Sequence, residues 1–133
     1  MNKKTITKIY KIHASRDSVW QSLTNSGDIA VWSEDTNVTM NDQVGTLFSL
    51  WSGEITGKNI EIDPGQKLVQ EWRSGDWKED TISTVTFTLT EKDGYVEVTL
   101  VHEGIPEVAI PSIDDGWDAY YMEPLKAYVE KQG

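Results

Sequence analysis

Hydrophobic and polar residues alternate along the segment from Thr81 to Gly104, and this alternation predicts a long β-hairpin. In its first half, Val85 and Phe87 are separated by threonines, and the alternation resumes after the turn Lys92-Asp93-Gly94. Because successive side chains of a strand point to opposite faces, one face of this hairpin is apolar and the other is polar. The apolar face therefore needs a cover from another element.

A segment with aromatic residues at helical spacing follows the hairpin and supplies that cover. Its apolar positions are Trp117, Tyr121, Leu125 and Tyr128, which share one side of a helix. Ser112 is the expected N-cap, since an acidic residue follows three positions later.

Pro124 lies inside this predicted helix and removes one backbone donor. We expect it to kink the helix, because the apolar stripe continues in phase beyond it. The alternative is a helix that stops near Met122 and starts again.

The earlier segments predict one strand, two short helices and a further series of strands. Ser15 is the expected N-cap of the first short helix, and Ser26 or Asp28 is expected to cap the second, which ends near Trp32. The predicted strands lie at 5–12, 37–40 (a weak pattern), 46–51, 54–62 and 66–74. Strands joined by short turns indicate an antiparallel sheet, so the expected class is α+β with a single domain over residues 1–133.

Composition narrows the function classes. The 133 residues include no cysteine, and the formal net charge is −10. This charge argues against nucleic-acid binding, and the chain shows neither a membrane-span pattern nor the apolar core of a signal peptide. We therefore expect a cytoplasmic protein. The early basic residues Lys3, Lys4, Lys8, Lys11 and Arg16 are interpreted as a solvated strand edge, with a docking patch as the alternative.

Several segments resemble one family over nearly the whole chain: the homologues of the C-terminal domain of the activator of Hsp90 ATPase, within the START/Bet v 1-like (SRPBCC) superfamily. The matching segments include Ser18-Val19-Trp20-Gln21-Ser22-Leu23-Thr24, Gly45-Thr46-Leu47-Phe48-Ser49-Leu50, Leu68-Val69-Gln70-Glu71-Trp72-Arg73, His102-Glu103-Gly104-Ile105-Pro106 and Gly116-Trp117-Asp118-Ala119-Tyr120-Tyr121. Together with the predicted elements, the resemblance implies a helix-grip fold. In it, a curved antiparallel sheet of about seven strands holds a long C-terminal helix, and two short helices follow the first strand. An apolar cavity between sheet and helix is also implied.

The inward face of the predicted sheet carries two polar side chains, Gln70 and His102, on an otherwise apolar surface. Buried polar groups need partners, and an apolar concavity with a few polar groups is typical of a small-molecule site. The alternative is that both side chains bond within the protein and the core is filled. The candidate lining is Leu50, Leu68, Gln70, Trp72, Val85, Phe87, Val98, Leu100, His102, Trp117 and Tyr121.

The first functional hypothesis is a non-catalytic, monomeric domain that binds a small hydrophobic molecule between sheet and terminal helix, without cofactor or metal. Trp72, Trp117 and Tyr121 would form apolar walls, while Gln70 and His102 would orient a polar end of the ligand. The second hypothesis is a chaperone-associated or stress-related protein-interaction module.

An enzyme of the polyketide cyclase kind is a third hypothesis, with His102 as its candidate acid or base. Trp77 lies in a charged loop and is expected to fold back on that loop. The alternatives are that it forms a lid over the cavity or an anchor for a protein partner.

Overall fold

The computed structural model describes residues 3–35, 37–78 and 81–132, and its elements follow the predicted order. The strands are β1 (Lys3–Ile12), β2 (Leu47–Leu50), β3 (Ile55–Asp63), β4 (Lys67–Ser74), β5 (Ser83–Lys92) and β6 (Tyr95–Pro106). The helices are α1 (Arg16–Thr24), α2 (Ser26–Ser33), α3 (Ile110–Gly116) and α4 (Glu123–Gln132), with a 3-10 turn at Glu107–Ala109 and a π-helical segment at Trp117–Met122.

The sheet is curved and open, with the strand order β1-β6-β5-β4-β3-β2, and every neighbouring pair is antiparallel. The predicted long hairpin is β5–β6, in which Phe87 lies opposite Leu100 and Val85 lies opposite His102. The terminal helix covers the face on which these side chains are buried. The predicted α+β helix-grip fold is therefore confirmed.

The sheet contains six strands within the described residues, where the sequence predicted about seven. The weak strand at 37–40 is reduced to one isolated bridge between Thr39 and Ser49. On either side of this bridge, backbone amides bond to nearby side chains. The Asn37 amide donates to the Asp35 carboxylate, and the Gln43 amide donates to Asn41 Oδ1. Such local bonds compete with strand pairing.

The caps of the short helices are partly as predicted. Ser15 caps α1 and accepts a hydrogen bond from the Ser18 amide at 3.1 Å. The cap of α2 is Asn25, whose side chain accepts from the Asp28 amide at 3.0 Å, so the prediction of Ser26 or Asp28 was wrong. Asn25 also ends α1, so the two helices share one junction residue.

The terminal helix begins earlier than predicted. Ser112 is not its N-cap, because helical structure already starts at Ile110 and Pro111 lies in the first turn. Proline is favoured there, since its fixed φ suits a helix and its missing N–H is not needed.

The chain remains helical through Pro124, so the helix does not stop near Met122. The distortion takes the form of the π-helical segment, in which the Glu123 amide donates to the Asp118 carbonyl five residues earlier. Tyr121 and Leu125 stay buried, and Tyr128 is half-buried, with its hydroxyl donating to Asp28.

Strand β1 forms one edge of the sheet, and several of its lysines have partners in the fold. Lys8 forms ion pairs with Asp118 at 2.8 Å and with Asp114 at 3.1 Å, and Lys11 Nζ lies 4.4 Å from the Tyr95 ring centre. Lys4 and Lys11 are exposed, as a solvated strand edge predicts. Lys8 departs from that prediction, because its side chain is 17% exposed and is held by two carboxylates of the terminal helix.

Candidate functional site

A cleft of about 430 Å³ opens between the terminal helix and the turn that joins β2 to β3. We call it the aromatic cleft, because five of its lining residues are tryptophan or tyrosine. The lining residues are Trp51, Glu54, Ile55, Trp72, Ser112, Ile113, Gly116, Trp117, Tyr120 and Tyr121. Its volume lies within the range of small-molecule sites, roughly 300–1,000 Å³.

The β2–β3 turn that forms one wall has an unusual backbone. Trp51 and Ser52 both adopt positive φ, at 51° and 55°, and Gly53 follows at 90°. Positive φ is unfavourable for residues with a Cβ, and such strain persists only where surrounding contacts fix it. The turn therefore has to be held in place by its neighbours.

Asp35, which follows α2, provides much of that hold. Its carboxylate accepts a hydrogen bond from the Trp51 amide and is itself 9% exposed. The Trp51 indole contacts the Ser33 carbonyl at 3.4 Å, and its ring centre lies 6.3 Å from that of Tyr121. These contacts fix Trp51 against the terminal helix.

The opposite wall comes from α3 and the π-helical segment. The segment carries Trp117, Tyr120 and Tyr121, and the Trp117 and Tyr121 ring centres are 4.7 Å apart. Its position immediately before Pro124 has a physical reason, because proline has no N–H to continue the α-helical pattern. Wider turns of this kind occur frequently at functional sites. Tyr120 is 68% exposed and forms the outer rim.

Gly116 leaves space open in this wall. A Cβ placed on it would meet no atom within 4 Å, apart from the neighbours along its own helix. Its φ of −63° and ψ of −37° are ordinary helical values, so a larger side chain at this position would extend into the cleft without backbone strain.

The predicted site residues divide into two groups. Trp72, Trp117 and Tyr121 line the aromatic cleft, and the ring centres of Trp72 and Trp117 are 5.6 Å apart. The remaining predicted residues lie in the packed interior and do not line it; they are Leu50, Leu68, Gln70, Val85, Phe87, Val98, Leu100 and His102.

Sequence reasoning missed the β2–β3 turn and the exposed side of the helix. A tryptophan next to a Ser-Gly turn was the available signal for Trp51. Nothing in the local pattern distinguishes Tyr120 from an ordinary exposed residue, because its place in the cleft follows from how the helix crosses the sheet.

Gln70 is satisfied by the protein itself. Its amide donates to Asn59 Oδ1 at 3.0 Å and lies 3.8 Å from the Met40 sulfur. Asn59 in turn donates to the Asn41 carbonyl at 2.9 Å. Gln70 is 1% exposed and, through Asn59, connects the middle of β3 and β4 to the segment that precedes β2.

His102 takes part in a fully buried hydrogen-bond chain that fixes its tautomer. The Trp117 indole N–H, which can only donate, lies 3.0 Å from His102 Nδ1. Nδ1 is therefore the acceptor, and Nε2 carries the proton and donates to Ser83 Oγ at 2.7 Å. The Ser83 hydroxyl donates onward to the Trp72 carbonyl at 2.6 Å.

This arrangement is unsuited to nucleophilic or acid–base catalysis by His102. Nε2 already holds a proton and cannot accept the one on Ser83, and the ring is 0% exposed. Burial lowers the pKa of His102 to about 3, because the charged form would lose its hydration. The histidine is a neutral structural group that joins β5, β6 and the terminal helix.

Trp77 folds back, as predicted, but its ring packs against the sheet and not against its own loop. Its ring centre lies 5.9 Å from that of Trp72 and 6.4 Å from that of His102. Arg73 fixes the loop by donating to the Trp77 carbonyl at 2.9 Å and to the Lys78 carbonyl at 3.0 Å.

The chain matches a known protein family over most of its length. The sequence profile described as "Activator of Hsp90 ATPase homolog 1-like protein" matches residues 13–130. The chain belongs to this family. The match extends from the end of β1 to α4 and so includes both walls of the aromatic cleft.

Two curated relatives are named activators of the 90 kDa heat shock protein ATPase. The human activator of 90 kDa heat shock protein ATPase homolog 1 is 30% identical over 88 residues, which is 66% of this chain and 26% of that protein. The Dictyostelium discoideum homologue is 34% identical over 90 residues, covering 66% of this chain and 23% of that protein. The chain thus spans about a quarter of the length of these named activators.

Two solved structures share the fold over more than 90% of both chains. An HSP90 activator from Plasmodium falciparum superposes with a TM-score of 0.86 at 23% identity, covering 92% of this chain and 94% of that one. The Aha1 dimer from Colwellia psychrerythraea gives a TM-score of 0.82 at 19% identity and 96% coverage of both chains. Among the described residues, no helix has the length and apolar character needed to span a membrane.

Proposed function

We propose that this chain is a non-catalytic partner-binding domain of the Hsp90-activator kind, and that its partner is an ATPase of the 90 kDa heat shock class. The observation that carries the proposal is the family match together with relatives that are named activators of that ATPase. The place of His102 in a structural hydrogen-bond chain agrees with it, because the candidate acid–base group is occupied. Such a partner would also agree with the expected cytoplasmic location.

The test combines the purified chain with a purified 90 kDa heat shock protein ATPase. ATP turnover is measured with and without a specific inhibitor of that ATPase, so that only the inhibitor-sensitive portion is counted. We expect the chain to raise this portion in a saturable manner. A domain of similar size and negative charge serves as the control for nonspecific effects.

Binding is measured in the same experiment by NMR, with ¹⁵N-labelled chain and unlabelled ATPase. Localised signal loss on one face of the sheet or helix would support the proposal and map the surface. Unchanged turnover together with an unchanged spectrum at saturating partner would contradict it. Sedimentation velocity of the free chain checks the predicted monomer, because the Colwellia psychrerythraea relative is named a dimer.

A second candidate function is favoured by one specific observation, the aromatic cleft. An apolar concavity of about 430 Å³ between sheet and terminal helix has the form of a small-molecule site. We propose that it binds a small, largely apolar ligand, with Trp72, Trp117 and Tyr121 as walls. Gln70 and His102 are not part of this site, because their polar atoms bond within the protein.

The second candidate is tested by native mass spectrometry of freshly purified chain, which detects a co-purified small molecule. Gly116→Phe is the matched variant, because its ring would extend into the open space beside the helix. We expect a bound mass in the wild-type chain that is lost in Gly116→Phe and retained in Gly116→Ala. A bound mass that survives Gly116→Phe would place the ligand elsewhere.

A further inference from the structure

We propose that the aromatic cleft selects an organic cation, meaning an apolar group that carries an ammonium charge, over a fatty acid or a neutral lipid. The proposal rests on the second candidate function above, since it requires the cleft to bind a ligand. It adds the chemical class of that ligand, which the sequence left open.

The walls of the cleft are rich in aromatic rings. Trp51, Trp72, Trp117, Tyr120 and Tyr121 all line one cleft, so a ligand within it meets aromatic rings from both sheet and helix. The faces of such rings carry partial negative charge and attract cations within about 6 Å of the ring centre. Cages of aromatic side chains are a known means of recognising quaternary ammonium groups.

The charge on the lining also favours a cation. Among the described residues that line the cleft, Glu54 carries the only carboxyl group, and none is a lysine, an arginine or a histidine. Burial raises the pKa of Tyr121 above its usual value, so this phenol stays neutral. A fatty-acid carboxylate in the cleft would therefore find no positive side chain and would be repelled by Glu54.

The side chain of Glu54 is available to a ligand. Its backbone amide and carbonyl bond within the loops, to the Trp51 carbonyl and from the Gly75 amide. Its side chain forms no ion pair or hydrogen bond with another described residue. Ser112 also lines the cleft, and its hydroxyl already donates to the Ala109 carbonyl. The carboxylate of Glu54 is thus the charged group left to meet a ligand.

The overall charge acts in the same direction. A formal net charge of −10 raises the local concentration of cations around the protein and lowers that of anions. Lys8 lies on the inner face near the same helix, but Asp114 and Asp118 hold its ammonium group. It does not line the cleft and cannot reverse the preference there.

The experiment uses three probes with one alkyl chain: n-hexyltrimethylammonium, 1-hexanol and hexanoate. Each is titrated into the full chain, and the indole N–H signals of Trp51, Trp72 and Trp117 are followed by ¹H–¹⁵N NMR. We expect the cation to bind about tenfold more tightly than hexanoate, which is the scale of one charge contact combined with cation–π attraction. Hexanol should lie between the two.

Two variants make the outcome specific. Glu54→Gln should remove several-fold of the cation's advantage over hexanoate, because it removes the negative charge and keeps a side chain of similar size. Gly116→Phe should abolish binding of all three probes, with Gly116→Ala as the matched control that keeps the cleft open.

The possible results separate the two levels of inference. Equal or tighter binding of hexanoate or hexanol would overturn the choice of a cation while leaving the cleft as a ligand site. No shift with any probe would overturn both. A cation preference that persists unchanged in Glu54→Gln would refute the role assigned to that carboxylate.

Discussion

Protonation of His102 should control how the stability of this domain depends on pH. Its Nδ1 accepts from Trp117 and its Nε2–H donates to Ser83, so the folded state holds the neutral ring. Burial lowers its pKa to about 3, compared with 6.5 for the free side chain. The unfolded chain therefore binds one more proton than the folded chain between these two values.

The sign follows from that difference. Stability falls as pH falls whenever the unfolded state binds more protons. The contribution of His102 is thus fully present above pH 6.5 and is lost progressively as pH falls toward 3. One proton corresponds to about 1.4 kcal/mol per pH unit, so the free energy of unfolding should drop by about 2 kcal/mol between pH 7 and pH 5 on account of this residue.

The assay is urea unfolding followed by tryptophan fluorescence at pH 7, 6 and 5, for the wild type and His102→Gln. The variant should be less stable at pH 7 by about 1–3 kcal/mol, because the substitution disrupts buried hydrogen bonds. Its stability should nevertheless fall less steeply, by the missing 2 kcal/mol or so between pH 7 and 5. Leu100→Ala, a buried change two residues away, controls for destabilisation alone and should keep the wild-type pH dependence.

An identical pH dependence in wild type and His102→Gln would refute the argument, since it would mean that the folded state protonates the ring freely. A direct check is the ¹⁵N spectrum of the imidazole. We expect a protonated Nε2 and an unprotonated Nδ1 to persist in the folded protein at pH 5.

Three further substitutions test local features of the fold by urea unfolding. Gly57→Ala should lower the free energy of unfolding by about 3 kcal/mol, because the added Cβ would lie 1.9 Å from the Glu71 carbonyl oxygen. A loss under about 1 kcal/mol would show that the strands can separate locally. Gly116→Ala should instead stabilise the helix by up to about 1 kcal/mol, since the added Cβ would meet no atom within 4 Å outside its own helix. A loss of stability would contradict the presence of open space at this wall. Asp35→Ala should lower the free energy of unfolding by about 1–3 kcal/mol and accelerate hydrogen exchange of the Trp51 amide, which donates to the Asp35 carboxylate. Unchanged exchange at Trp51 would mean that Asp35 is not needed to fix the turn.

The β5–β6 hairpin and the covering helix were predictable because their signals are local. Alternation with period two fixes which side chains of β5 face inward, and the spacing of Trp117, Tyr121 and Leu125 fixes one face of the helix. The Ser15 cap was predictable for the same reason, since it depends on residues within one turn. The Asn25 cap was missed because several residues close together could serve as caps. The start at Ile110 was missed because no side chain caps it and a 3-10 turn leads directly into the helix.

The sequence by itself determined the α+β class, the order of elements and the buried state of Gln70 and His102. Only the tertiary structure decided what these polar groups do, because their partners Asn59, Ser83 and Trp117 lie 11 to 19 residues away along the chain. It also decided where space remains. The interior positions are filled by their own side chains, whereas the open volume lies between the terminal helix and the β2–β3 turn. Periodicity along the chain contains no information about the distance between these two elements.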